Sequence, residues 1–201
     1  MRELSYTEAL REALSEELRR DPNVFLLGED IGVYGGAFGV TRDMVDEFGP
    51  GRVVNTPISE PGFVGMAIGA AMTGTRPVVE IMFMDFIALV ADQMLNMAGK
   101  IRYVYGAPAA CPLVLRTAGG AGRCYGPTHS QMLDSWFLHI PGIRIALPAT
   151  PADAKGLLKT AIRDNNPVLF VEHKMLYGVR DDVPDGDWTV PFGKARHVCE
   201  G

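Results

Sequence analysis

Apolar and polar positions follow two rhythms along the chain. In the first twenty residues, MRELSYTEALREALSEELRR, leucines 10, 14 and 18 recur at helical spacing with polar residues between them. That period predicts an amphipathic helix. Ser5, with Glu8 three residues on, forms the signature of a capping box at its start. Asp21-Pro22 ends it. Short runs rich in Val, Ile and Leu then follow at 24–27, 52–55, 78–83, 113–116, 143–147 and 168–172. They predict six strands. Helices are expected between them at 44–48, from Pro61 to Met72, at 86–103, 131–138 and from Thr150 to Arg163. Pro61 and Pro151 suit first helical turns, where the missing N–H would have no partner anyway.

Strands that are apolar on both faces imply a parallel sheet covered on both sides. The expected fold is α/β, a doubly wound, mostly parallel sheet over residues 1–178. After Tyr177 the chain turns polar, with Asp181, Asp182, Pro184, Asp185, Gly186 and Asp187. Residues 179–201 therefore read as a surface excursion or linker. Lys155 and Lys159 read as a solvated helix face.

Composition narrows the class. Of 201 residues, 47% are hydrophobic and 21% charged, enough for a sizeable core. A net charge of −5 argues against a nucleic-acid surface built on bulk positive charge. No apolar run reaches membrane-spanning length, so no membrane span is expected. The first residues lack an apolar signal core, which predicts a cytoplasmic protein. Cys111, Cys124 and Cys199 show no CxxC spacing and read as reduced thiols, each a small buried hydrophobe.

The phosphate-binding GxxxxGK[ST], dinucleotide GxGxxG and nucleophile-elbow GxSxG patterns are all missing from the sequence. His129, His139, His173 and His197 lack zinc-ligand spacing. What remains is a set of polar groups at the ends of expected strands: Glu29 and Asp30, Ser59 and Glu60, Asp85, His129, Glu172 and His173. Ligands of open α/β sheets bind at that edge, and several such groups together raise the case for a site.

A series of segments then carries a resemblance. Leu26-Leu27-Gly28-Glu29-Asp30, Asn55-Thr56-Pro57-Ile58-Ser59-Glu60, Arg76-Pro77-Val78-Val79-Glu80-Ile81-Met82-Phe83, Thr128-His129-Ser130-Gln131, Asp153-Ala154-Lys155-Gly156-Leu157-Leu158 and Ala161-Ile162-Arg163-Asp164-Asn165-Asn166-Pro167 follow in that order. Together they resemble the β subunits of 2-oxoacid dehydrogenase E1 components, of the pyruvate and acetoin types, over nearly the whole chain. The resemblance implies a transketolase-like pyrimidine-binding domain and thiamine diphosphate chemistry. It implies an E1 α partner that holds the diphosphate and Mg²⁺ through a GDG motif. This sequence has only Asp185-Gly186-Asp187, in the wrong order. It also implies an acyltransferase (E2) core with lipoyl domains and a small 2-oxo acid as substrate.

By the same resemblance, Glu60 hydrogen-bonds N1′ of the cofactor's aminopyrimidine. That favours the 4′-imino tautomer, whose nitrogen can take the proton from C2 of the thiazolium. Phe86 packs on the pyrimidine ring, and Glu29, Ile58 and Met82 line the pocket. His129 faces substrate and the incoming lipoyl group. Its approach, Tyr125-Gly126-Pro127-Thr128, departs from the Ala-Ala-Gln type of many relatives. Leu113, Ala161, Ile162, Asp164 and Asn166 match a K⁺ site built from backbone carbonyls. Relatives continue into a second α/β domain, so the chain is expected to be the pyrimidine domain without it. The competing expectations are an acetoin dehydrogenase β chain and a non-catalytic assembly module.

Overall fold

The structure is a computed structural model that describes residues 1–106, 109–194 and 199. Its centre is a six-stranded sheet whose neighbouring strands all run parallel. The strands are β2 (Val24–Gly28), β3 (Val53–Asn55), β4 (Arg76–Ile81), β5 (Val114–Gly119), β6 (Arg144–Ala146) and β7 (Val168–His173). Their order across the sheet is β3-β2-β4-β5-β7-β6.

Consecutive residues of each strand enter opposite cores, because side chains alternate across a sheet. Leu26, Val78, Val114 and Val168 join one cluster with Leu10 and Leu14 of α1 (Tyr6–Arg20) and Leu158 and Ile162 of α5 (Pro151–Arg163). Leu27, Val79, Leu115 and Leu169 join the other, with Phe63, Val64 and Ile68 of α3 (Glu60–Met72). Both faces are thus buried, which is why the strands read as continuous apolar runs.

Local signals hold where they are strong. Ser5 and Glu8 complete the capping box of α1, and Thr150 accepts from the Asp153 amide at the start of α5. The short helix α2 (Met44–Phe48) and the helix from Glu60 form as expected.

Two expected helices do not form as such. Residues 86–103 are not one regular helix. A 3₁₀ segment, Met84–Val90, leads into a π-type turn, Gln93–Ala98, and then into the single turn of α4 (Ile101–Val104). The buried residues explain this: Met84, Ile87 and Val90 recur every third position, the 3₁₀ repeat. Residues 131–138 hold only the 3₁₀ turn Asp134–Phe137. The Asp85 carboxylate takes the amides of Ser130 and Gln131, which holds that stretch as a loop.

The tail also differs from the expected polar excursion. Arg180–Val183 is a strand, β8, pairing antiparallel with β1 (Arg2–Ser5). Both are too polar to announce themselves by period. Lys155 and Lys159 are not solvated: both side chains are buried between α1 and α5. Lys155 reaches Glu12 at 2.6 Å and Glu16 at 3.0 Å, and Lys159 pairs with Glu16 and Asp187. Of the cysteines only Cys111 is buried, which pushes its thiol pKa up to about 11; Cys124 and Cys199 are exposed.

Candidate cofactor and substrate site

Strand order decides where a site can form. From β2 the chain moves outward to β3, then returns to place β4 on the other side of β2. The crevice beyond the carboxyl ends of β2 and β4 is the topological switch point, where open α/β sheets bind ligands. Glu29 follows β2. Met82 and Phe83 follow β4, and Glu60 opens α3 after β3.

Two acids share that crevice. Glu60 is 7% exposed, and among the described residues no group donates a hydrogen bond to its carboxylate. The Oε1 of Glu29 and the Oγ1 of Thr56 are buried without partners. Thr56 is tied to the same corner, its amide donating to the Gly28 carbonyl at 2.9 Å. Burial, then the charges of Glu60 and Asp30, raise the Glu29 pKa above the ordinary carboxylate value. Unpaired buried acceptors cost free energy, so the corner has an unmet demand for donors. A protonated aminopyrimidine, with a ring N–H and an exocyclic amine, offers that chemistry.

His129 lies past the carboxyl end of β5, at the end of a 3₁₀ turn, Pro127–His129. Its ring is edge-on to Phe83 at 4.8 Å and to Phe86 at 5.3 Å. The backbone here is held from below. Lys174 Nζ donates to the His129 carbonyl at 2.7 Å and to the Gly120 carbonyl at 3.3 Å. Asp85 Oδ1 accepts from the Ser130 amide and from the amide and side chain of Gln131. Met82 borders a small internal cavity together with Phe38, Glu80, Arg116 and Tyr177.

The structure therefore brings Glu29 to Glu60, and Phe86 to His129, around one sheet edge. Ile58, two residues before Glu60, is 84% exposed. The five residues matched to a K⁺ site lie at the opposite, amino-terminal edge. There Arg76, the first residue of β4, donates to the carbonyls of Ile162 and Asp164, both at 3.0 Å. The Leu113 carbonyl accepts from Val168, and the Ala161 carbonyl from Asp164. Asn166 bonds the Asp164 side chain. The cation that the Ile162 and Asp164 carbonyls hold in the structure is thus the Arg76 guanidinium. Among the described residues no group of three or more His, Cys, Asp or Glu side chains is arranged to hold a metal.

Of the strand-end groups, Glu172 belongs to a buried network. Arg116, inside β5, bonds Glu172 of β7 and Glu80 of β4, and Tyr177 donates to Glu172 at 2.8 Å. Phe38 stacks on Tyr177 at 4.6 Å and meets Phe83 edge-on at 5.6 Å. The sequence carried a signal for this: a charge set among apolar residues in each of three strands, Glu80, Arg116 and Glu172.

The fold is thus a doubly wound α/β domain with acids gathered at its switch point and a histidine packed on aromatic rings past the end of β5. Residues 2–180 match the family described as the transketolase pyrimidine-binding domain, and the chain belongs to that family. It is 50% identical over 201 residues to the pyruvate dehydrogenase E1 component subunit beta of Gracilaria tenuistipitata var. liui, covering all of this chain and 62% of that one. It is 47% identical to the acetoin:2,6-dichlorophenolindophenol oxidoreductase subunit beta of Cupriavidus necator, covering 100% and 62%. It is 48% identical to a chloroplastic pyruvate dehydrogenase E1 component subunit beta-2 of Arabidopsis thaliana, covering 99% and 49%. The chain thus spans about half to three fifths of the length of these relatives. A solved structure titled split gene transketolase, inactive beta4 tetramer, shares the fold with a TM-score of 0.72 at 21% identity, covering 95% of this chain and 57% of that one.

Proposed function

We propose that this chain supplies the aminopyrimidine side of a thiamine diphosphate site in the E1 component of a 2-oxoacid dehydrogenase, with pyruvate as the substrate. The observation that carries the reading is the buried, unpartnered Oε1 of Glu29, with the Glu60 charge close beside it, at the switch point. When bound, the cofactor supplies carbanion stabilisation at its thiazolium ring. The chain supplies position and protons. Glu60 would share a proton with the pyrimidine ring nitrogen. Glu29, beside it, would hold the site's second proton. Phe86 would pack on the pyrimidine, and Met82 would fill the wall under it. Ile58, being exposed, would close on the cofactor only with a partner chain in place. His129 would bind the 2-oxo acid and move a proton at its carbonyl oxygen.

The partners in this reading are an E1 α chain, which holds the diphosphate and Mg²⁺, and an E2 core whose lipoyl group takes the acyl unit. The carbonyls around Ala161 and Asp164 would take K⁺ as a structural ion. Residues 1–178 act as the pyrimidine domain, with β8 and the segment to Val190 packed onto it. The compartment is read as cytoplasm, with a chloroplast, as in the Arabidopsis relative, the competing outcome of a localisation experiment.

Calorimetry of thiamine diphosphate with Mg²⁺ tests this. Binding is expected with the chain and an E1 α chain together and not with either alone. Glu60→Gln should keep assembly and lose turnover by about a hundredfold or more. Tight binding to the lone chain would overturn the divided site. A second reading, cleavage of acetoin, is favoured by the Cupriavidus relative. Comparing pyruvate with acetoin as substrates separates the two. A chain that assembles yet turns over neither is an assembly module.

A further inference from the structure

Lys174 is a lysine without solvent. Its side chain is 0% exposed. Such burial of a four-carbon stem and an ammonium is rare unless the charge is used. Here the partners of the ammonium, His129, Gly120, Phe83 and Asp85, lie on segments that border the candidate site. Its strongest bond, 2.7 Å, goes to the carbonyl of His129 itself. A second goes to Gly120, on the far side of the same loop, whose own amide bonds the Gln131 carbonyl at 3.0 Å. The ammonium lies 4.9 Å from the centre of the Phe83 ring, and that ring packs on the His129 imidazole.

Asp85 completes the arrangement. Its Oδ2 lies 4.0 Å from Nζ, a charge contact without a hydrogen bond, and is otherwise buried without a partner. Its Oδ1 holds the amides that follow His129. The ammonium and the carboxylate thus grip the loop from opposite polarities, one by its carbonyls and one by its amides. Burial pulls the Lys174 pKa below the usual lysine range, and Asp85 opposes that pull.

We propose that Lys174 and Asp85 are positioning residues. They form a buried charge clamp that fixes the backbone of the 120–131 loop and so aims the His129 ring along the Phe83–Phe86 wall. The proposal deepens the thiamine-site reading and rests on it only where turnover is measured. Neither residue touches substrate in this role. Lys174 acts through a carbonyl and an aromatic ring, and a methionine of similar length would fill its place without gripping anything.

The test uses the full chain and three variants, Lys174→Met, Lys174→Arg and Asp85→Asn. The first readout is the NMR signal of the His129 ring, identified by its loss in His129→Gln. In the parent chain the two phenylalanine rings displace that signal from the position of a free histidine. It should move toward the free position in Lys174→Met, move the same way but less in Asp85→Asn, and stay in Lys174→Arg. His139, outside the clamp, should hold its signal throughout. The second readout is turnover of the chain assembled with an E1 α chain. Lys174→Met should lower kcat on the order of tenfold to a hundredfold, leave the KM for thiamine diphosphate unchanged, and be rescued by Arg.

An unmoved His129 signal in a folded Lys174→Met chain overturns the clamp. So does an Arg variant displaced as far as the Met variant, because filling space would then be the whole role. If Lys174→Met does not fold, Asp85→Asn and Lys174→Arg decide on the same signal. The NMR result stands even if no E1 activity is found, so failure of the clamp and failure of the functional reading are separable.

Discussion

Arg116 meets Glu172 side by side through two hydrogen bonds, Nε to Oε1 at 2.7 Å and a terminal nitrogen to Oε2 at 2.9 Å, in the middle of the sheet. Its remaining terminal nitrogen bonds Glu80 at 2.9 Å. One cation thus serves two buried carboxylates. Burial alone would lower the Arg116 pKa, but Glu172 and Glu80 outweigh it and hold the guanidinium above its ordinary value. Burial raises the Glu80 pKa, Arg116 opposes this, and Glu172 adds to it.

Removing the shared cation should therefore be costly. Arg116→Met leaves two acids facing each other in the core and is expected to destabilise the domain by about 3–5 kcal/mol. Arg116→Met with Glu172→Gln should cost less than the sum of the two single changes, since the pair is coupled. Urea unfolding of the single and double variants measures both. Additive losses would mean that the network does not hold as a unit.

Glu29 gives a pH dependence with a fixed sign. Its pKa in the folded chain is raised above the 4.5 of a free glutamate, by burial first and then by Glu60 and Asp30. Above 4.5 the unfolded chain releases this proton while the folded chain still holds it. The folded state then binds more protons, so its stability falls as pH rises through that window. Glu29→Gln removes the loss. The variant should gain on the parent from pH 4.5 upward, and the gain should level off above the folded-state pKa. Denaturant midpoints of both proteins at successive pH values read it. A constant difference would place the acid in water.

Much of this was legible beforehand, because the strongest local signals agree with the tertiary fold. The Leu10-Leu14-Leu18 stripe, the Ser5–Glu8 box and the Val/Leu-rich strands became the elements they suggested. Segment 86–103 failed because its buried positions follow a three-residue repeat at first and its backbone then winds into a π-type turn, which a single helical period cannot express. The ribbon of Arg2–Ser5 with Arg180–Val183 failed for lack of any apolar alternation. Of the proposed site, Glu29, Glu60, Phe86 and His129 stood out in the sequence as strand-end groups or family matches. Phe83 and the roles of Lys174 and Asp85 were not, since their importance lies in contacts between loops distant in sequence. Lys155 and Lys159 misled for a related reason: α1 and the tail cover them, and no pattern within α5 shows that.

Lys155 separates stem from charge. Its ammonium bonds Glu12 at 2.6 Å and the Gly186 carbonyl at 3.1 Å, while its stem is packed between two helices. Lys155→Met keeps the packing and should cost about 1–3 kcal/mol through the lost charged bonds. Lys155→Ala adds a cavity and should cost about 2–5 kcal/mol. Equal losses in thermal or urea melts would show that the stem contributes nothing.

Gly156 tests how the tail is held. In the middle of α5, replacing glycine with alanine ordinarily favours the helix by about 1 kcal/mol. Here an added methyl group would lie 2.5 Å from Val190 Cγ2 and 2.9 Å from both Trp188 Nε1 and the Val190 amide. The tail cannot stay where it is. Leaving costs the bonds from Trp188 to the Ala152 carbonyl and from Thr160 to the Val190 carbonyl, about 1 kcal/mol each. The loss exceeds the helical gain, so Gly156→Ala should be destabilising by about 1 kcal/mol. Trp188 should move into water, with red-shifted and more readily quenched emission in a Trp136→Phe background. Greater stability with unchanged Trp188 emission would mean that the segment around Val190 yields without leaving α5.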